Sequence, residues 1–335
     1  MSSPAPYSLA GKRLWVAGHR GMVGQALLRR LRHGKEFETC EILTAARDEL
    51  DLRNQQAVAT WVRRKKPQAV IISVARVGNI YSNNMFPAEI LYDNLMITVN
   101  IIHAAYLSGV EKLLFIGSSC IYPRLAEQPI KEDALLSGKL DPDHESYAVA
   151  KIAGIKLCQA YRRQYRCDYI SAIPANLYGP EDDFNIRSSH VSAALLKKFH
   201  DATVHNHDTV TVWGTGKPRR EFLHVDDAAD AFLFLLRHYS DANIINVGSG
   251  EEVTVSAFAR YIIDITGFKG RVVYDPSYPD GVPRRVLDVS ALHKMGWRAK
   301  IPLDKGLRLY YDWFLDSRHR LRHADYPPES SPQPV

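Results

Sequence analysis

The stretch Arg13-Leu14-Trp15-Val16-Ala17-Gly18-His19-Arg20-Gly21-Met22-Val23-Gly24 decides how the rest of the chain reads. Its first five residues, four of them apolar, read as a buried strand, and residues 23–31 repeat their apolar positions at helical spacing. Three glycines therefore stand where a strand turns into a helix. That is the place of a dinucleotide fingerprint: glycine lets the backbone approach a pyrophosphate, which rests on the partial positive charge of the helix N-terminus. The spacing is Gly-x-x-Gly-x-x-Gly rather than the commoner Gly-x-Gly-x-x-Gly, so position carries the reading more than spacing does. It assigns Gly18, His19, Arg20, Gly21, Met22, Val23 and Gly24 to a bound cofactor.

Outward from this stretch the pattern repeats. Strands are predicted at 40–44, 69–73, 113–116 and 169–173, and helices at 55–65, 88–108 and 146–165. Strands alternating with helices predict an α/β fold, a Rossmann-type doubly wound parallel sheet covered on both faces. Beyond Asn176-Leu177-Tyr178-Gly179-Pro180 the alternation becomes irregular, with helices at 190–200, 226–239 and 256–267 and a strand at 209–213 closing in Gly214-Thr215-Gly216. No Gly/Ser linker separates the halves. The chain is therefore expected to pass more than once between a cofactor domain (9–178 and 219–248) and a smaller mixed α/β substrate domain (179–218 and 249–323). Residues 1–8 and 324–335 read as disordered tails.

A chain of 335 residues is long enough for a substantial core. No apolar run reads as long enough to span a bilayer, and Met1-Ser2-Ser3-Pro4-Ala5-Pro6 lacks a charged segment followed by an apolar one, so a cytoplasmic protein without a membrane partner is expected. Cysteines at 40, 120, 158 and 167 are too scattered for a disulfide framework or a metal site, which predicts reduced thiols. The 43 basic against 37 acidic residues leave a charge of +6, which favours anionic partners. Arg63-Arg64-Lys65-Lys66 and Arg162-Arg163 lie beside helical apolar positions and read as solvated helix faces, so nucleic acid is not expected among those partners.

The chemistry is concentrated in Gly117-Ser118-Ser119-Cys120-Ile121-Tyr122 and in Tyr147-Ala148-Val149-Ala150-Lys151. A tyrosine four residues before a lysine shares a helix face with it, where an ammonium lowers a phenol pKa that is ordinarily about 10. Such a phenol can protonate a carbonyl oxygen. Ser118 follows an apolar strand, where sites of open α/β sheets gather, and can donate to the same oxygen. At the end of the second strand, Thr44-Ala45-Ala46-Arg47 offers a base and no acid, which points Arg47 at the 2′-phosphate of NADP rather than at the free ribose of NAD. An ion pair with Asp48 or Glu49 is the alternative for Arg47. Asp51 and Leu52 are expected by the adenine.

With these parts together the chain resembles the extended short-chain dehydrogenase/reductase family from about residue 13 to 314. The likeness rests on the glycine loop, Arg47-Asp48-Glu49-Leu50, Leu113 to Pro123, Ala150 to Cys158 and Asn176-Leu177-Tyr178-Gly179-Pro180. It continues through Ser189-His190-Val191, Arg220-Glu221-Phe222-Leu223-His224-Val225-Asp226-Asp227 and Pro279-Asp280-Gly281. Within the family it is similar to the epimerase-reductases that turn GDP-4-keto-6-deoxy-D-mannose into GDP-L-fucose with NADPH. That resemblance implies Ser118, Tyr147 and Lys151 as the reductase triad, with Cys120 and His190 as base and acid of a 3,5-epimerisation. It implies cofactor contacts from Asp48, Ile116, Gly117, Ser118, Ser119, Tyr147, Lys151, Pro174, Ala175, Asn176, Leu177 and His190. Lys198, Trp213, Arg220 and Asp280 are implied for the nucleotide sugar, and helices 88–108 and 146–165 for a homodimer. Read alone, Cys120 and Trp213 are open to plain core roles, His190 to a helix start, and Arg220 to pairing with Glu221 or Asp226. Val77-Gly78-Asn79 stands where the family has Val-Gly-Gly, with Arg76 before it, and Pro174-Ala175-Asn176 where Pro-Thr-Asn is usual. This changed wall leaves room for a sister reaction on another GDP-4-keto sugar, such as a 6-deoxy-heptose. A non-catalytic NADP-binding protein is the remaining alternative.

Overall fold

A computed structural model describes residues 6–78, 80–185 and 189–321. β1 (Arg13–Ala17) leads through the glycine loop into α1 (Met22–His33), followed by β2 (Glu41–Leu43), α2 (Gln55–Lys65), β3 (Ala69–Ile72), α3 (Ile80–Met85) and α4 (Pro87–Leu107). Then come β4 (Lys112–Ile116), α5 (Glu145–Tyr165), β5 (Asp168–Pro174), β6 (Asn176–Tyr178), α6 (Val191–Val204), β7 (Thr209–Trp213), β8 (Arg219–His224) and α7 (Val225–His238). The chain continues through β9 (Ile245–Val247), β10 (Glu252–Thr254), α8 (Val255–Thr266), β11 (Arg271–Asp275), β12 (Arg284–Arg285), α9 (Ser290–Lys294) and α10 (Leu303–Leu321).

Six strands form one parallel sheet in the order β2-β1-β3-β4-β5-β9. Both faces are covered because successive residues of these strands are apolar on both sides: Trp15 and Ala17 enter the core beneath α2, α4 and α5, while Leu14 and Val16 enter the one beneath α1 and α7. The strand order reverses between β1 and β3, and at such a point a crevice opens at the carboxyl ends of the strands. β8 pairs with β6, β10 and β12 in a smaller sheet, and β7 pairs with β11. A third core, around Phe199, Phe258 and Tyr310, joins α6, α8 and α10.

Several expectations are corrected. Tyr7, assigned to a disordered leader, is pinned instead: its N–H donates to the Arg237 carbonyl at 2.7 Å and its hydroxyl to Glu111 at 2.9 Å. α4 is long and apolar enough to cross a membrane by length and composition, contrary to the reading of the apolar runs. More than half of its apolar window is buried inside the fold, so its hydropathy reflects packing against α5 and α2. Helix α10 is not among the elements expected from the sequence, although Leu303, Leu307, Tyr310 and Phe314 recur at helical spacing and pack into the third core. The expected tail at 324–335 lies outside the described residues.

Candidate active site

The crevice at the switch point is a cleft of about 600 Å³ lined by the glycine loop, residues 45–47 and 50–53 after β2, residues 73–76 after β3, and Asp93 and Ile97 of α4. Gly18 has φ +95°, and a Cβ there would meet the Val74 backbone at 2.6 Å. A Cβ on Gly24 would overlap the Gly18 carbonyl, so loop and helix close up only without side chains. α1 begins at Gly21 with no side-chain cap and no acid in its first turn, which leaves its N–H groups and dipole for an anion. These features fit a dinucleotide pyrophosphate.

Arg47 is exposed at the cleft and makes no ion pair among the described residues. Its two neighbours are engaged elsewhere: Asp48 is 3.9 Å from Arg20, and Glu49 accepts from Trp61 Nε1 at 3.2 Å. Asp51 also lines the cleft, paired with Arg53 at 2.8 Å, and its carboxyl is pulled down to about 2 chiefly by that bond. Arg53 and Arg76 each reach one carboxylate oxygen of Asp93, at 3.3 and 2.9 Å. Arg20, Arg47, Arg53 and Arg76 thus give the cleft a cationic lining suited to phosphates. Asn79, part of the altered wall, lies outside the described residues.

At the end of β4, Ser118 opens a single turn of 3-10 helix (Ser119–Ile121), and its Oγ accepts the Cys120 N–H at 3.5 Å. One turn apart on α5, Tyr147 and Lys151 are both buried against this edge. Lys151 Nζ donates to the Ile116 carbonyl at 2.8 Å and lies 5.7 Å from the Tyr147 ring centre. Burial lowers the Lys151 pKa to about 8. It also raises the Tyr147 phenol well above its ordinary value, reversing the expected direction, because desolvation of a phenolate outweighs a cation turned toward a carbonyl.

Cys120 sits in a small apolar cluster with Tyr147, Ala148 and Ile90, and burial raises its thiol pKa. His190 immediately precedes α6 at its N-cap position, but its ring makes no capping bond. The residue is exposed, yet the protein around its ring lowers its pKa, chiefly by desolvation, with His144 adding to the effect. Along the carboxyl edge of the sheet, Gly117 N–H donates to the Ala172 carbonyl at 2.8 Å and Ala175 N–H to the Val247 carbonyl at 2.9 Å. Asn176 Nδ2 donates to the Glu221 carbonyl at 3.0 Å, and Pro174 and Leu177 flank these two residues on β5 and β6.

Farther out, Lys198 Nζ stands 4.4 Å from the Trp213 ring centre. Trp213 is 51% exposed and stacks on Tyr278 at 4.4 Å and 7°, so it is no core filler. Arg220 pairs with neither Glu221 nor Asp226: Glu221 accepts from the Gly250 and Leu287 N–H groups, and Asp226 binds Arg29. Its guanidinium donates to the Asp280 carbonyl at 3.3 Å, and burial lowers its pKa to about 10. The Asp280 carboxylate accepts from Thr215 N–H and Oγ1, both at 2.7 Å.

The sequence reading missed Asp141, His144 and Arg285. His144 Nδ1 is 3.8 Å from the Asp141 carboxylate, and its charge acts on His190. Arg285 reaches the carbonyl of Ser119. His144 stands three residues before Tyr147, but only the fold brings it toward His190, and nothing near Arg285 in sequence marks it.

The family described as "NAD dependent epimerase/dehydratase family" matches residues 14–248. A GDP-L-fucose synthase of Sinorhizobium fredii is 50% identical over 311 residues, covering 93% of this chain and 98% of its own. Among solved structures, a GDP-6-OMe-4-keto-L-xylo-heptose reductase from C. jejuni superposes with a TM-score of 0.86 at 33% identity, covering 93% of this chain and 100% of its own. A GDP-L-fucose synthetase from Naegleria fowleri bound to NADP gives 0.87 at 27% identity, with 95% and 98% covered.

Proposed function

The chain belongs to the NAD dependent epimerase/dehydratase family, and on that premise we propose that it converts GDP-4-keto-6-deoxy-D-mannose to GDP-L-fucose by 3,5-epimerisation and 4-keto reduction with NADPH. The observation that carries the reading is the gathering of Cys120 and Tyr147 in one buried cluster beside Lys151. In the epimerisation, the 4-keto group acidifies the protons on carbons 3 and 5. The Cys120 thiolate removes a proton to give an enolate, and His190 returns one to the opposite face. When bound, the nicotinamide supplies a hydride to carbon 4. Tyr147 gives its hydroxyl proton to the carbonyl oxygen, Ser118 donates a hydrogen bond to the same oxygen, and Lys151 holds the site electropositive. Lys198, Trp213, Arg220 and Asp280 receive the nucleotide diphosphate end. Residues 9–178 with 219–248 form the cofactor domain of this scheme, and 179–218 with 249–323 the substrate domain.

The likeness to a heptose reductase supports one second reading, in which the sugar is a GDP-4-keto-heptose. Incubation with each GDP-4-keto sugar and NADPH, with the product identified by NMR, separates the two. GDP-L-fucose from the deoxy-mannose substrate is the expected result, and turnover of the heptose alone would overturn it.

NADPH is the preferred cofactor in this reading because Arg47 is free for a 2′-phosphate. Arg47→Ala is expected to cut the kcat/KM preference for NADPH over NADH by roughly 10- to 100-fold, since a charge-assisted bond is worth about 1.5–3 kcal/mol. Equal use of both cofactors by the wild type would sink the assignment.

A cytoplasmic homodimer completes the proposal. α4 and α5 leave Tyr92, Val99, Leu107, Val149 and Tyr165 exposed on neighbouring helices, an apolar face that a second copy would cover. Sedimentation of Tyr92→Glu and Leu107→Glu should show monomers where the wild type sediments as a dimer.

A further inference from the structure

We propose that Arg285 is a positioning residue for the epimerisation: a buried guanidinium, fixed on the Ser119 carbonyl, whose field keeps Cys120 available as a thiolate. This rests on the reading above, in which Cys120 moves carbon-bound protons. β12 brings Arg285 beneath the turn Ser119–Ile121, where it is 9% exposed and its Nη1 donates to the Ser119 carbonyl at 3.1 Å. Its Nη2 is sealed from water and has no hydrogen-bond partner among the described residues. A buried donor left unpaired costs stability, so scaffolding alone does not account for this arrangement. The site also lacks the solvent that would screen the charge.

The groups facing Cys120 can be named from each packed element. Its own turn contributes Ser118, α5 contributes Tyr147 and Lys151, and β12 contributes Arg285. Arg285 in turn faces Asp141, in the segment before α5, and Arg220 of β8. Burial pushes the Cys120 thiol up, while Ser118, Arg285 and Lys151 pull it back. The two cations differ in how long they last. Lys151, lowered to about 8, loses charge as pH rises through that value. Arg285 is lowered by burial too, but a guanidinium starts so high that it stays charged, and the Asp141 carboxylate supports it. In the range where a thiolate forms, Arg285 is therefore the cation that persists.

The test is the pH dependence of Cys120 alkylation by iodoacetamide in the full chain, for wild type, Arg285→Met and Arg285→Lys. Mass spectrometry assigns the modified residue, because Cys40, Cys158 and Cys167 are free thiols as well. Arg285→Met is expected to raise the Cys120 midpoint by about one pH unit or more, a roughly tenfold loss of thiolate at neutral pH, and Arg285→Lys to restore most of it. Deuterium entry at sugar carbons 3 and 5 should fall in parallel. Should Arg285→Met not fold, Arg285→Gln, which keeps a donor but no charge, carries the same comparison. A neutral variant that folds and titrates Cys120 at the wild-type midpoint overturns the proposal. The readout is independent of turnover: a wild type that fails to exchange deuterium at those carbons refutes the epimerase reading, while a shifted midpoint still reports the field of Arg285 on the thiol.

Discussion

Tyr147→Phe is expected to lower NADPH-dependent reduction of the 4-keto sugar by roughly 100- to 10,000-fold, the range that one positioned general acid supplies. The substitution removes a single oxygen. That hydroxyl forms no hydrogen bond with the described residues, and the ring keeps its place among Ile90, Cys120 and Ala148, so thermal stability should change little. Because burial holds the phenol above its ordinary range, Tyr147 stays protonated across neutral pH and ready to give its proton. Lys151 sets the alkaline side. Its pKa is lowered to about 8, so its ammonium is present below that pH and lost above it, and the reduction rate of the wild type should decline as pH rises through about 8. Stopped-flow oxidation of NADPH measures both effects. A well-folded Tyr147→Phe enzyme with near-normal oxidation would show that the acid is another group.

Cys120→Ser is expected to separate the two half-reactions. Serine keeps the shape of the side chain but replaces a thiol, ordinarily of pKa about 8.5, with a far weaker acid whose conjugate base is scarcely populated. Solvent deuterium should enter carbons 3 and 5 roughly 100- to 10,000-fold more slowly. In the proposed scheme Tyr147 and Lys151 serve the carbonyl step, so direct reduction of the unepimerised ketone should persist, and NMR should find the product with the configuration of the starting sugar at carbons 3 and 5. If the variant exchanges deuterium at the wild-type rate, Cys120 is core packing and the base lies elsewhere.

The legible part of this protein is the part written in local spacing. A strand, three glycines and a helix within residues 13–33 announce a phosphate cradle because glycine's missing side chain and the helix terminus act within a few residues. Tyr147 and Lys151 are legible as a pair because a separation of four places them on one helix face. The absence of an acid after the second strand is legible for the same reason. Direction of titration is not: the pairing of Tyr147 with Lys151 suggests a lowered phenol, but burial, which belongs to the whole fold, raises it. Nor is the fate of a charged or aromatic side chain with several possible partners. Arg220 ignores its sequence neighbour Glu221, whose carboxylate is spent on the backbone of Gly250 and Leu287, and Trp213 stacks in the open on Tyr278, 65 residues away in sequence. Arg285 reaches Ser119 across 166 residues. Sequence alone thus determined the glycine turn between strand and helix, the class of sheet and the helical pair, whose signals are local. Tertiary structure alone decided which charges surround Cys120, because desolvation and Coulomb interaction depend on distance through space, and only the packed chain sets that.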